Sequence, residues 1–216
     1  HSAASGTPTA DITTSLLATA STTARAWLYV NLVNTGGGQA SESVTITTTI
    51  GNFGPSGGVS TGKSLTVEYA SGGAKYYPLF ADGTAGTAVI TVKSASVTFA
   101  NKSVVFYAAN PTTLVARALN TNPGVGTNSS AVEVVAKDAN GALWGGSLAI
   151  YSDTVGTISD TGTACTNANA TVGAFLCPVT GVVAGTAKVK VYAAAQTVYS
   201  NEITLTVSQA TAATVK

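Results

Sequence analysis

Apolar and polar positions alternate with a period of two along much of this chain. In Leu28-Tyr29-Val30-Asn31-Leu32, Val44-Thr45-Ile46-Thr47, Ala187-Lys188-Val189-Lys190-Val191 and Ile203-Thr204-Leu205-Thr206-Val207 the apolar side chains fall on one face. A strand points successive side chains to opposite sides, so each segment predicts a half-buried antiparallel strand. Ile90, Val92, Val189, Val191, Ile203 and Leu205 are the expected inward residues. The abundant Val, Ile and Thr suit a pleated surface. No window long enough for a helix carries a 3.6-residue period, and the alanines at 193–195 make too short a run.

Turn-forming clusters separate these segments: Asn34-Thr35-Gly36-Gly37-Gly38, Gly54-Pro55-Ser56-Gly57-Gly58, Ser71-Gly72-Gly73 and Asp138-Ala139-Asn140-Gly141. Short strands punctuated in this way predict a sandwich or a barrel. The chain also repeats itself. Leu28–Gly36 resembles Val132–Asn140, Ser43–Ile46 resembles Ser147–Ile150, Ala85–Val92 resembles Ala184–Val191, and Phe99–Tyr107 resembles Tyr199–Val207. Matched segments in one order mean two copies of one domain. The expected fold is all-β, with two tandem immunoglobulin-like β-sandwiches. The expected organisation is an N-terminal extension over 1–10, domains over 11–109 and 110–208, and a tail over 209–216. Pro111 lacks an N–H and suits the joint.

Val134-Val135-Ala136-Lys137-Asp138-Ala139-Asn140-Gly141, Thr154–Ser159, Gly185–Val191 and Ser200–Val207 together resemble the bacterial immunoglobulin-like domains of invasin- and intimin-type adhesins and of many phage virion proteins. The second copy carries the resemblance over most of its length. The first carries it over Ala85–Val92 and departs at Asn34–Gly38, where the Lys-Asp pair is absent. The resemblance implies a structural or adhesive spacer without shared catalytic residues.

Only 9% of the 216 residues are charged, against about 25% in a typical soluble domain. Thr, Ser, Ala, Gly and Val take their place, giving a neutral, hydroxyl-rich surface that tolerates close packing against other copies. The net charge is +1, and Lys188 and Lys190, the densest positive cluster, read as a solvated strand face. Nothing here neutralises several phosphates together, so nucleic acid is not an expected partner. No apolar run is long enough to span a membrane. The chain has no Met and begins with His1, from which a removed leader peptide is expected.

Cys165 and Cys177 are the only cysteines. A local disulfide is expected, the alternative being two buried thiols; a zinc site would need two further ligands. A disulfide places the chain outside the reducing cytoplasm. Candidate chemistry is sparse, no cofactor is expected, and the chain reads as a non-enzyme. The sole His is at position 1, so a nucleophile has no base. Asp153 and Asp160 read as turn or rim residues rather than an acid–base pair. Asp138–Gly141 reads as a hairpin turn before it reads as half of a calcium loop. Trp144, Tyr76 and Tyr77, with Trp27, are candidate glycan-facing aromatics, core or rim packing being the competing reading. Asn101, Asn128 and Asn169 open Asn-X-Ser/Thr sequons and are candidate glycosylation sites.

The expected function is a structural subunit of an extracellular surface assembly: a cell-surface layer, a filament or a virion. It would form a homo-oligomer or polymer, with other surface or virion proteins as further partners. The alternative is an adhesin or carbohydrate-binding module. The segments before Asp11 and after Val207 are the expected strands for pairing with a neighbour's sheet edge.

Overall fold

Alternation becomes burial on both sides of each core. The computed structural model describes residues 10–38, 40–70, 73–154, 156–159, 162–169, 173–193 and 198–209, and the chain divides into two compact units, His1–Ala109 and Asn110–Lys216. No described residue is helical.

The first unit contains β1 (Leu16–Leu17), β2 (Ala26–Leu32), β3 (Ser43–Thr48), β4 (Asn52–Phe53), β5 (Ser64–Glu68), β6 (Gly73–Phe80), β7 (Gly86–Ser94) and β8 (Lys102–Tyr107). One sheet runs β1-β8-β7-β3-β5, the other β2-β6-β4. Every pairing is antiparallel except β1 with β8. Val44, Ile46, Ile90 and Phe106 from the first sheet share one core with Leu28, Phe53, Tyr77 and Leu79 from the second. Each such side chain contributes about 1.5–3 kcal/mol by leaving water.

The second unit contains β9 (Thr113–Ala118), β10 (Gly126–Lys137), β11 (Ala149–Ser152), β12 (Thr166–Asn169), β13 (Ala174–Gly181), β14 (Gly185–Ala193), β15 (Val198–Tyr199) and β16 (Ile203–Val207). Its sheets are β12-β13-β10-β9 and β11-β14, with β15 and β16 both pairing β14. In chain order this is the ABED and CFG division of an immunoglobulin constant-type sandwich. The internal repeat maps strand for strand: β2 onto β10, β3 onto β11, β7 onto β14 and β8 onto β16. Gly86 and Gly185, which open β7 and β14, hold φ of +138° and +159°, backbone reserved for glycine.

Ile90, Val92, Val189, Val191 and Leu205 are buried. Ile203 is only half-buried, because it opens β16 at the sheet's end and has less cover than Leu205 and Val207 further in.

The Asn34–Gly38 segment, which departs from the family pattern in sequence, builds the same turn as its counterpart. Asn34 Oδ1 accepts from the N–H groups of Gly36 and Gly38 at 3.0 and 2.9 Å. Asp138 Oδ1 accepts from Asn140 and Ala142 at 2.9 Å each. The closing bonds also correspond: Asn34 N–H to Gly38 O, and Asp138 N–H to Ala142 O. Gly37 and Gly141 supply φ of +78° and +76°. An amide oxygen serves as well as a carboxylate oxygen because the turn needs only an acceptor. With Asp138 3% exposed and holding two amides, the turn reading accounts for this segment.

Each unit braces its core differently. In the second, residues 162–165 pair along β11: Ile150 N–H donates to Thr163 O, Gly162 N–H to Ile150 O and Cys165 N–H to Leu148 O. The next residues form β12 and pair with β13 in the opposite sheet. Cys165 therefore stands where the chain changes sheets, and it is disulfide-bonded to Cys177 of β13, with Cα atoms 4.2 Å apart. In the first unit Tyr77 Oη donates to Tyr69 Oη at 2.9 Å, and Tyr69 Oη to Val30 O at 3.4 Å. Both rings are 1% exposed, so each hydroxyl meets its hydrogen-bonding need inside the core.

Removing the disulfide, as Cys165→Ala with Cys177→Ala, is expected to lower the stability of the second unit by up to about 3 kcal/mol. Chemical denaturation should show the first unit's transition unmoved.

Burial raises the pKa of Tyr69, Tyr77 and Tyr107; the Tyr77 hydrogen bond adds to the rise at Tyr69, and Arg25 opposes it at Tyr107. These phenols hold their protons in the folded unit above about pH 10, where unfolded tyrosines release theirs. Their contribution is complete below that pH and is lost as pH rises through the folded values. Denaturant midpoints of the first unit should therefore stay flat in this respect up to about pH 10 and then fall, and Tyr77→Phe should weaken the fall.

Candidate functional site

A sandwich has sheet edges, and the two units finish theirs differently. On β10, β9 covers one edge with six registered pairs, from Val132 opposite Ala118 to Lys137 opposite Thr113. The chain then crosses over: Thr206 N–H donates to Thr121 O, Ser208 N–H to Pro123 O and Val125 N–H to Ser208 O, with Gly124 bridged in parallel to Ser208. The first strand of this unit thus serves both sheets. The outer edge of β9 is itself capped at Ala116. Asn201 Oδ1 accepts from Ala116 N–H at 2.8 Å, and Asn201 Nδ2 donates to Ala116 O at 2.9 Å. A side-chain amide there stands in for a missing strand.

In the first unit the described part of this strand, from Asp11 to Leu17, lies along β8. Lys102 Nζ meets Asp11 Oδ2 at 2.6 Å and holds the Asp11 carboxyl below the usual carboxylate range. Leu16 and Leu17 pair with Phe106 and Tyr107. Among the described residues no strand pairs with the other edge of β2. Two adjoining clefts run along that edge. One, of about 250 Å³, is lined by Leu28, Tyr29, Val30 and Asn31 against Val92, Phe99, Ala100 and Lys102. The other, of about 120 Å³, continues past Leu32 and Val33 to Val97 and Glu42. The inward residues beside them, Leu28, Val30 and Leu32, are 4%, 6% and 5% exposed, whereas their counterparts Val132, Val134 and Ala136, under β9, are all 0%. The first cleft is mainly apolar with Lys102 beside it, and the second is mixed, with Asn31, Glu42, Ser94 and Ser96 among its lining.

A second surface lies on the outer face of the second unit. Tyr192 and Tyr199 are opposite each other across β14 and β15, and their rings stack at 5.7 Å and 23°. Tyr151 meets them edge-on at 6.4 and 5.9 Å. Tyr151 Oη donates to the Asp153 carboxylate, a bond that holds the phenol's proton and raises its pKa. Beside the rings Glu202 bridges Lys188 at 2.8 Å and Lys190 at 3.5 Å. The Lys188–Glu202 contact raises the lysine pKa and lowers that of the glutamate. Glu202 thus offsets one of the two positive charges of the lysine pair. The outward alternation of Lys188 and Lys190 already implied that Tyr192 points outward; Tyr151 and Tyr199 join it through strand register, which no local pattern announces.

The aromatics singled out from sequence are placed differently. Trp144 is 4% exposed, with its ring 6.5 Å from Phe175 and its backbone N–H donating to Ala136 O. The hairpin after Asp138 returns it into the core, so it does not face a glycan. Tyr77 is 1% exposed, while Tyr76 is half-buried on the opposite face, 5.3 Å from Tyr29. Neighbouring residues of one strand cannot share a face, so Tyr76 and Tyr77 form no common platform. Trp27 is half-buried opposite Pro78, outside the first core.

Among the sequon asparagines, Asn128 directs Nδ2 at Gly124 O, Gly126 O and Val179 O, at 2.9, 3.0 and 3.4 Å. The nitrogen that would carry a glycan is hydrogen-bonded to main-chain carbonyls, bonds that a glycan there would have to replace. Asn101 is exposed and accepts from Thr91 Oγ1 at 3.1 Å. Ala170 and Thr171 of the Asn169 sequon, and also Asp160 and His1, lie outside the described residues. Among the described residues no three His, Cys, Asp or Glu side chains are grouped to hold a metal, and no helix is long and apolar enough to cross a membrane.

No protein-family model matches the chain, and no curated protein sequence matches it. Among solved structures it is similar to invasin, a bacterial integrin-binding protein, at 18% identity over 91% of this chain and 38% of that one, with a TM-score of 0.39. It is similar to the Escherichia coli adhesin FdeC at 17% identity over 85% of this chain and 59% of that one, TM-score 0.40. Domains 4–9 of the surface-layer protein SbsC give 18% identity, 80% and 22% coverage and a TM-score of 0.32. The chain spans less than two thirds of each of these three.

Asn201→Ala is expected to leave the Ala116 N–H and C=O without their amide partner and to lower the stability of the second unit by about 1–3 kcal/mol. Thermal or denaturant melting checks this, with the first unit's transition as the internal control.

Proposed function

We propose that this chain is a non-catalytic structural subunit of an extracellular surface assembly, a cell-surface layer, filament or virion, built from immunoglobulin-like domains. The observation that carries the reading is the edge of β2, which no strand among the described residues pairs, with the groove along it. A single copy gains by covering such an edge, and strand addition is a standard way to do so. The scarcity of charge supports the same reading, because interface cores are depleted in charged residues. The Cys165–Cys177 bond supports a location outside the reducing cytoplasm.

A second reading, an adhesin or carbohydrate-binding module, is favoured by the cluster of exposed Tyr199 with half-buried Tyr151 and Tyr192, since surface rings stack on the apolar faces of sugars and on partner side chains.

The structural reading expects self-association that grows with protein concentration in sedimentation velocity. It should change little between low and high salt, because few charges are available to screen. A chain that stays monomeric throughout, yet binds a glycan array and loses that binding in Tyr192→Ala, would replace the structural reading with the adhesin reading.

A further inference from the structure

From the edge of β2 that no strand among the described residues pairs, we infer that the groove is a strand slot and that the C-terminal segment of a second copy of this chain fills it. This rests on the assembly reading and names its contact.

The second unit defines the slot. β9 lies on β10 over Val132–Lys137, and the repeat maps these onto Leu28–Val33. The two clefts of the first unit run along this same stretch. Lys137 O accepts from Thr112 N–H, so by alternation Glu133, Val135 and Lys137 turn their backbone groups toward β9. Their counterparts Tyr29, Asn31 and Val33 turn theirs toward the groove. What the slot lacks is an extended segment of six residues, antiparallel to β2, with small or medium side chains at alternate positions.

Beyond β16 the sequence continues as Ala210-Thr211-Ala212-Ala213-Thr214-Val215-Lys216. It has no Pro or Gly, so every residue can donate to a ladder and none weakens it. Laid antiparallel with Ala210 opposite Val33, it places Val215 opposite Leu28. Thr211, Ala213 and Val215 then face inward, and Lys216 faces out. β9 directs Leu114, Ala116 and Ala118 inward at the same three places. Alanine recurs at the centre, and the flanking pair Thr and Val replaces Leu and Ala at similar total volume. Shifting the register by one residue would turn Lys216 inward, at a cost that fixes the choice. The N-terminal segment His1–Thr9 fits less well: Pro8 has no N–H, Gly6 adds no side chain, and only Ala3 and Ala4 are apolar. One slot and one tail on each copy make the contact head-to-tail, a type that propagates into a filament or closes into a ring.

The test compares the full chain, a chain ending at Gln209, and two tail variants whose changes lie beyond the last strand, Ala213→Arg and Ala212→Arg. Sedimentation velocity reads assembly. Fluorescence anisotropy reads binding of a labelled peptide of residues 207–216 to the shortened chain. The shortened chain should be monomeric and bind the peptide. Ala213→Arg, facing inward, should weaken both readouts by about tenfold or more, and Ala212→Arg, facing out, should leave them unchanged. Asn31→Pro, which removes an edge N–H without touching the β6 ladder, should block peptide binding while its melting curve reports an intact fold.

Assembly that persists without residues 210–216 would overturn the tail inference and leave the assembly reading standing. A full chain monomeric at every concentration would overturn both. A monomeric full chain that excludes the peptide while the shortened chain accepts it would mean that the tail folds back on its own copy. Binding of a peptide of residues 1–10 in place of the tail peptide would assign the slot to the N-terminal segment.

Discussion

The backbone at a sheet edge must find partners for its N–H and C=O groups, and this constraint governs both units. Natural sandwiches commonly protect edges with charged side chains. Here ten basic and nine acidic residues serve the whole of a 216-residue chain, so edges are closed by other means. β10 is covered by β9, β9 is capped at Ala116 by the Asn201 amide, and β11 is lined by residues 162–165. β2 in the first unit has no such cover among the described residues. The described part of the first strand is held along β8, where Asp11 meets Lys102 and Leu16 and Leu17 pair with β8.

The two copies also show how one backbone design accepts different stabilising chemistry. The turn after the second strand is built on Asn34 in one and on Asp138 in the other, with the same pattern of accepted N–H groups. The second unit fixes its sheet-switching segment with a disulfide, and the first joins two buried phenols by a hydrogen bond. A covalent link acts mainly by restricting the unfolded chain, whereas a buried hydroxyl pair acts in the folded state alone. The two units should therefore answer differently to reductant and to alkali.

Both surfaces with interaction chemistry are made by register. The tyrosine face needs β11, β14 and β15 in their observed order, because Tyr151, Tyr192 and Tyr199 are far apart in sequence and meet only across the ladder. The groove lies along the edge of β2 that no strand among the described residues pairs. The first offers rings for an external ligand and the second offers backbone for another strand, which makes the structural and adhesive readings separable by experiment.

Strand identity and the inward or outward sense of each side chain were legible in the sequence, because alternation is a property of the local backbone. Val44, Ile46, Val189 and Val191 are buried as their parity requires, and Lys188 and Lys190 point outward. Parity also separates Tyr76 from Tyr77. The doubling was legible too, since both copies preserve the same turns and strands in order. Only the tertiary structure decided that Trp144 enters the core, that Asn128 directs its amide nitrogen at three carbonyls, and that the first strand of the second unit serves two sheets. The reason is physical. A residue's facing depends on its own strand, but its partner depends on competition among distant edges for the same hydrogen bonds, and only the folded chain resolves that competition.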